Sequence, residues 1–413
     1  MIKDTILEPD VLVIGAGMAG ITAAISASEA GASTTLIDRA PYPGGLATAS
    51  MVGTFCGLYL RSQQPGQWAF KGPARTLAED IASASGTRAV SWKHGLCFLP
   101  YAPRSLRSFL EQRLAESQVD YVPDCRVDAI EATERRLHEI RARGQAAAMT
   151  IRPGCIVDAS GFALTHELAG LPMMAAVKHQ AAALSFVLSG LPDAGETLPL
   201  QIITAIHRGV QAGRIPPEAR RISISPGAMD KGTGLFKFGI APVSLTADLE
   251  RLKVETEDIL HNVIRALRKE EPHFRDIALL ETASAIGVRT GCRPIGKALL
   301  TDRAVRGAQK PDDGIAAGAW PIEFWDTADR PEMGYFDEND YYLIPAGSLI
   351  SAHADNLFFA GRNLYAEDRA HASARVIGTC MQMGLASGVM ASYAVQGKTL
   401  PAAIETIRAL QLL

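Results

Sequence analysis

Between Val11 and Ala40 the chain reads VLVIGAGMAGITAAISASEAGASTTLIDRA: a strand, a glycine turn, a helix and a second strand. No other stretch limits the fold as strongly. Val11 to Ile14 is an unbroken apolar run, which suits a parallel strand covered on both faces. Gly15 permits the tight turn, Gly17 lets main chain approach a pyrophosphate, and Gly20 allows the helix to lie close to the strand. A helix from about Met18 to Glu29 then aims its free N–H groups and positive dipole end at phosphate, with Gly31 as its cap. Ala16, Met18 and Ala19 complete the main chain of that turn. Asp38, at the end of STTLID, stands where an acid accepts hydrogen bonds from a ribose diol. The unit therefore predicts dinucleotide binding, and by itself fits a nicotinamide or a flavin.

Three later segments favour the flavin. Directly after Asp38, the stretch from Arg39 to Leu60 is rich in small residues around Gly44, Gly45, Leu46, Ala47 and Thr48, with no evident helical period. Small side chains there let a flat ring system lie against main chain. CIVDASGFALTHELAG, from Cys155, reads as a short strand ending in Asp158, then Ala159, Ser160 and Gly161, and a helix. VDYVP, CRVDAIEATE, RLHEIRARG and AAMTIRPG before it read as short strands. Finally NLFFAGR is a buried strand running into Gly361 and Arg362. It precedes an apolar helix over about 374–394, in which Gly378, Gly384 and Gly388 allow close approach.

Together these motifs resemble the FAD-dependent oxidoreductase family of the glutathione-reductase-like superfamily, related to fumarate reductase flavoproteins. The likeness rests on Gly15, Gly17, Gly20 and Asp38, GGLAT at 44–48, DASG at 158–161, VRTGCRPIG at 288–296, WPIEFWD at 320–326, YLIPAGSLI at 342–350, and NLFFAGR with Arg375 downstream. It implies an α/β fold: a Rossmann-like FAD-binding domain built from 1–174 together with 285–413, and an inserted α+β substrate domain over 175–284. AAALSFVLSG, RRISISPG and GLFKFGIAPVSL in that insert read as strands, and TADLERLKVETEDILHNVIRALRKE as an amphipathic helix, a roof over the flavin ring. The resemblance adds Arg39, Arg126 and Val127 to the cofactor-binding candidates. It implies FAD held noncovalently, since no histidine lies between residues 15 and 93 to serve as a covalent anchor. GAMDKGTG at 227–234 lacks the flanks of a second nucleotide turn, so electrons are expected to pass through the substrate, oxygen, a quinone or a partner protein.

Seven residues are candidates for chemistry. Cys56 reads as a thiolate, a covalent anchor or a packed small side chain. Arg289 and Arg293, beside a strand expected to end at ASAIGV, suit a carboxylate or paired surface positions. Glu323 and Asp326, flanked by Trp320 and Trp325, suit proton transfer or a loop packed by the two indoles. His371 and Arg375, four residues apart, share one helix face, and an ordinary histidine pKa near neutrality makes His371 the first choice for moving a proton. His353, His166 and His94 carry weaker positional arguments.

Composition limits the remaining possibilities. A formal net charge of −3 gives no case for nucleic acid or an anionic membrane, and no apolar run approaches the roughly 20 residues of a transmembrane helix. MIKDTILEPD lacks the regions of a signal peptide, and six scattered cysteines form no CxxC pair, so a cytoplasmic enzyme without metal is expected. The first function is hydride transfer between flavin N5 and a small organic substrate, polar or carboxylated where the arginines face the ring. The alternative is a monooxygenase hydroxylating an aromatic ring with NAD(P)H or a partner reductase, although such enzymes usually carry GD where this chain has AGR at 360–362. A third, of another class, is an FAD-binding assembly subunit.

Overall fold

Alternating side chains of one strand feed two separate cores. In a computed structural model, which describes residues 5–145, 148–193, 195–230 and 232–413, Val11 and Val13 pack beneath the helices Met18–Glu29 and Ile377–Val395. Leu12 and Ile14 point the other way, towards Val127, Ile130, Leu137 and Ile140. Val11–Ile14 is the middle strand of a five-stranded parallel sheet. Its order is Leu357–Phe359, Cys155–Asp158, Val11–Ile14, Thr34–Ile37, Asp120–Val122. Burial on both faces explains its apolar composition.

The second layer is a meander of Arg126–Thr133, Arg136–Arg143 and Ala148–Ile151, with Thr5–Leu7 added in parallel at its edge. VDYVP is a strand as expected but borders the central sheet instead of opening the meander. The first four residues of the N-terminal stretch lie outside the described residues.

Small residues set the packing of the long late helix. A Cβ on Gly384 would fall 2.1 Å from the carbonyl oxygen of Ala19, and one on Gly388 2.2 Å from that of Ala23. The two helices therefore touch main chain to main chain. The helix expected over about 374–394 is broken, because Asp368–Ala374 ends at Arg375 and Ile377–Val395 begins afresh. Val376 between them is extended (φ −68°, ψ 153°), drawn into a small core with Leu96, Phe98 and Trp320. Tertiary burial overrides helical continuity there.

Residues 182–288 supply almost all of another core, centred on Phe186, Phe236, Phe238 and Leu260. Its antiparallel sheet has the order Ile222–Asp230, Thr233–Pro242, Ala181–Ser189, Ala278–Thr282, and the helices Leu198–Gln211 and Leu249–Glu270 pack beside it. Of GAMDKGTG, 227–230 end the strand Ile222–Asp230 and Thr233 opens its antiparallel partner; Lys231 lies outside the described residues. ASAIGV is not a strand end, since the strand stops at Thr282 and only Gly287 continues the ladder, bridging to Ala183.

One buried group ties the fold to pH. His166, in the short helix Leu164–Ala169, has no accessible surface, and neither ring nitrogen has a partner among the described residues. Burial pushes its pKa down to about 4, with Asp158 opposing and His353 assisting. The unfolded chain therefore takes up this proton first. Stability is full above the ordinary value of about 6.5 and falls as pH drops towards 4, by about 3 kcal/mol from this group. His166→Leu is expected to flatten that loss, measured as denaturation midpoints at neutral pH and near pH 4.5.

Candidate functional site

Each glycine of the first turn has its own geometric reason. At Gly15 φ is +104°, and a Cβ there would lie 2.7 Å from the carbonyl oxygen of Ala159. A Cβ on Gly20 would lie 1.7 Å from the oxygen of Gly15. Gly17 differs: a Cβ on it would meet nothing within 4 Å. The turn is packed on two sides and open on the third.

Other candidate segments line this opening. Gly44 donates its N–H to Ala16 O at 2.7 Å, and a Cβ on Gly45 would fall 2.9 Å from the Cα of Gly17. The one-turn helix Leu46–Ala49, unforeseen in the sequence, follows directly. Thr48 faces inward within its own loop, its Oγ1 donating to Pro43 O at 2.9 Å. Ala159, Ser160 and Gly161 lie beside the turn, and Asp158 fixes them there. Its Oδ1 accepts from Ser160 N–H at 3.0 Å and from Asn363 Nδ2 at 2.8 Å, while Oδ2 accepts from Thr165. Asn363 thereby fastens the segment of Gly361 and Arg362 to DASG. A Cβ on Gly361 would lie 3.0 Å from Ala19 Cβ, and one on Gly161 2.6 Å from Arg362 Nη2. Met18 and Ala19 open the buried helix behind this opening.

Asp38 accepts hydrogen bonds from the N–H groups of Ala16 and Ala40. Burial raises its pKa, and those two bonds oppose the rise. Each carboxylate oxygen keeps a free lone pair, enough to accept from a diol. Cys125 donates its N–H to Asp38 O at 2.7 Å, which brings the start of the meander alongside. The Arg126 side chain is 82% exposed near Asp128, and that of Val127 is buried in the meander core. Only the main chain of these two can face a ligand beside Asp38. Arg39 is exposed, its guanidinium 4.8 Å from the Phe162 ring centroid.

A charged cluster forms between the antiparallel sheet that contains Ala181–Ser189 and this layer. Glu323 Oε2 accepts from Trp320 Nε1 at 2.7 Å and Oε1 from Trp325 Nε1 at 2.8 Å, so two indoles fix its carboxylate. Arg289 lies 4.6 Å from the Trp325 ring centroid and donates to Ala181 O. Burial pushes its pKa down to about 9, Arg375 adding to the fall and Glu323 opposing it. Arg375 Nη2 donates to Gln180 Oε1 at 3.4 Å, leaving Arg375 Nε and Gln180 Nε2 buried without partners. Cys56 belongs to the same cluster, its thiol pushed up to about 12 by burial first and Glu323 second. It is a neutral thiol, not a thiolate. Arg362 is held by Val288 O at 2.6 Å, its pKa lowered to about 10 chiefly by burial.

Three sequence candidates stand elsewhere or in another state. Asp326 is exposed and lies 3.5 Å from Lys178. Arg293 is buried against Asp368. His371 is buried, with Nε2 on Arg362 O at 3.0 Å. Burial and then Arg293 and Arg375 hold its pKa well below the ordinary value. The near-neutral pKa that recommended it does not survive in the fold, and its imidazole is uncharged. Sequence reasoning missed Lys237 and Gln180. Alternation in GLFKFGIAP, which buries Phe236 and Phe238, could have flagged Lys237 as facing the other way.

The open-sided glycine turn, the carboxylate of Asp38 beside it and the second glycine pair packed on it suit a dinucleotide-binding α/β protein. Residues 10–413 match the FAD dependent oxidoreductase family, and the chain belongs to it. It is an FAD-dependent oxidoreductase, a flavoprotein enzyme with FAD as its cofactor. No curated protein matches the sequence. Among solved structures, OxyS anhydrotetracycline hydroxylase from Streptomyces rimosus is similar over 98% of this chain and 65% of its own, at 12% identity and a TM-score of 0.52. BexE, studied for oxidation during BE-7585A biosynthesis, matches over 97% and 65%, at 12% and 0.50. A geranylgeranyl bacteriochlorophyll reductase-like protein from Thermoplasma acidophilum matches over 98% and 83%, at 12% and 0.49. At this identity the likeness to the first two speaks to fold alone. Among the described residues no helix is long and apolar enough to cross a membrane.

Proposed function

We propose that the protein transfers hydride between noncovalently held FAD and a small carboxylated organic molecule. The proposed architecture is glutathione-reductase-like: 1–174 with 285–413 hold the cofactor, and 175–284 form the substrate cap. Bound FAD supplies hydride exchange at N5. N–H groups at the open side of Gly17 and the start of the helix Met18–Glu29 bind pyrophosphate, aided by the helix dipole. Asp38 accepts from the ribose hydroxyls. Arg375 and Arg289 orient the substrate carboxylate, and Glu323, fixed by its two indole partners, accepts a proton beside them.

The observation that carries this reading is the pair of buried, unpartnered groups, Arg375 Nε and Gln180 Nε2, in a cluster sealed by the cap. Burying such groups unsatisfied costs about 1–3 kcal/mol each, which a ligand recovers. The monooxygenase remains a second reading because Trp320 and Trp325 offer aromatic faces at the cluster. Anaerobic titration separates the two. A yellow protein bleached by organic acids and not by NADPH is expected. Rapid bleaching by NADPH favours hydroxylation, and a colourless protein that takes up no FAD ends both.

A further inference from the structure

We infer that Gln180 is a specificity-determining residue: its amide nitrogen reads an oxygen on the carbon beside the substrate carboxylate, so the site selects 2-oxo and 2-hydroxy acids over acids lacking that oxygen. This rests on the hydride-transfer reading of the same site.

Hydrogen bonds fix both the place and the orientation of this side chain. Gln180 directly precedes the strand Ala181–Ser189 and is buried. Its backbone N–H donates to Thr290 Oγ1 at 3.2 Å, and the next N–H, of Ala181, donates to Trp325 O at 2.9 Å. Oε1 of the amide accepts from the backbone N–H of Trp325 at 3.2 Å and from Arg375 Nη2 at 3.4 Å. Both partners donate and neither can accept, so exchanging the amide oxygen and nitrogen would set donor against donor. Nε2 therefore points away from these partners, and it is buried with no hydrogen-bond partner among the described residues.

Charge divides the work among the neighbours. Arg375 Nε is likewise buried and unpartnered, and the bond from Arg375 Nη2 to Gln180 Oε1 joins the two groups. One small molecule can therefore reach both donors. Arg289 belongs to the same corner, donating to Ala181 O with its guanidinium 4.6 Å from the Trp325 ring centroid. A guanidinium is always charged and matches a carboxylate, whereas an amide N–H is neutral and suits an uncharged oxygen. With the two arginines on the carboxylate, Nε2 is left for an acceptor close beside it: a ketone or hydroxyl oxygen on the adjoining carbon. An acid without that oxygen strands a buried donor, and a site of this kind rejects such an analogue. Trp325 connects this corner to Glu323, since its backbone N–H holds Gln180 and its indole holds the carboxylate at 2.8 Å.

The probes are pyruvate and isobutyrate, equal in charge and close in size, one with an oxygen on the second carbon and the other with a methyl group. Binding is followed by calorimetry in the FAD-loaded protein at neutral pH, and the flavin reduction potential is measured alongside. Wild type is expected to favour pyruvate about tenfold or more, the scale of one stranded donor. Gln180→Glu keeps an oxygen for Trp325 and Arg375 and replaces the amide nitrogen with an acceptor. Its added charge weakens both anions alike, so the ratio of the two affinities isolates the lost donor. That ratio is expected to fall to about one or below, with the flavin potential unchanged. If Gln180→Glu does not fold, Gln180→Met is held to the same loss of preference. A wild-type ratio in the folded variant overturns the inference, because it leaves the glutamine a purely structural role. So does a wild type indifferent to the second oxygen, or a shifted flavin potential with an unaltered ratio, which would assign Nε2 to the flavin. Failure of the hydride-transfer reading shows separately, as flavin that no organic acid bleaches in a protein that still prefers pyruvate.

Discussion

Gly17→Val is expected to give a folded, colourless protein. The position is unusual among the glycines of the turn because the protein itself has no objection to a side chain there. Its φ is −70°, which any residue adopts, and a Cβ would meet nothing within 4 Å. The melting temperature of the apoprotein should therefore stay within a few degrees of wild type. The cost falls on the ligand. Branched methyl groups would occupy the open side and hold pyrophosphate away from the N–H donors. Losing two charge-assisted bonds of about 1.5–3 kcal/mol each weakens FAD binding about a thousandfold or more. Visible absorbance after purification and titration of apoprotein with FAD measure this directly. Gly20→Ala is the opposite control, since its Cβ would lie 1.7 Å from Gly15 O and the turn cannot form. A Gly17→Val protein as yellow as wild type would move the cofactor away from this turn.

The same contrast explains what was legible in the sequence. Gly15, Gly20, Asp38 and DASG were readable because their roles are local: a φ angle, an approach of helix to strand, an acid at a strand end. The convergence of Gly44, Ala159 and Gly361 on one turn follows from short connections within one parallel sheet, which strand order nearly dictates. Cluster membership was harder. Gln180 comes from far along the chain, and its place against Arg375 depends on how one sheet seats on the other layer, for which the chain has no local signature. Glu323 is legible from its flanking tryptophans, which hold its carboxylate, whereas Asp326, three residues on, faces solvent beyond the end of the strand Ile322–Phe324. His371 was misjudged for a related reason. An isolated histidine suggests its solution pKa, and only the packed structure shows the two arginines and the burial that keep it neutral. Val376 broke the predicted helix through contacts with residues some 56 and 280 positions earlier.

Arg293 and Arg375 look interchangeable in sequence, yet their substitutions are expected to fail in different ways. The Arg293 side chain is 2% exposed, with Nη2 2.5 Å from Asp368 Oδ1. Asp368 also accepts from the N–H groups of Val177 at 2.9 Å and Lys178 at 3.1 Å, and it opens the helix Asp368–Ala374. That carboxylate therefore ties together the segment at Val177 and Lys178, the strand Arg293–Pro294 and the late helix. Arg293→Ala leaves this partly buried carboxylate without its cation, a change worth about 2–4 kcal/mol of stability, below the cost of breaking a fully buried pair. Turnover per folded molecule should change by less than about tenfold, since the proposed substrate cluster is untouched. Arg375→Ala should do the reverse: near-normal melting, because Nε already lacks a partner, and, on the proposed function, a loss of about a hundredfold in kcat/KM from a missing donor to the substrate carboxylate. Removing Arg293 also removes one of the positive neighbours that depress His371. The His371 resonances should then titrate at higher pH in Arg293→Ala, and Asp368→Asn in the same background should recover part of the lost stability by discharging the stranded carboxylate. Normal melting in Arg293→Ala together with lost turnover would return this arginine to the substrate.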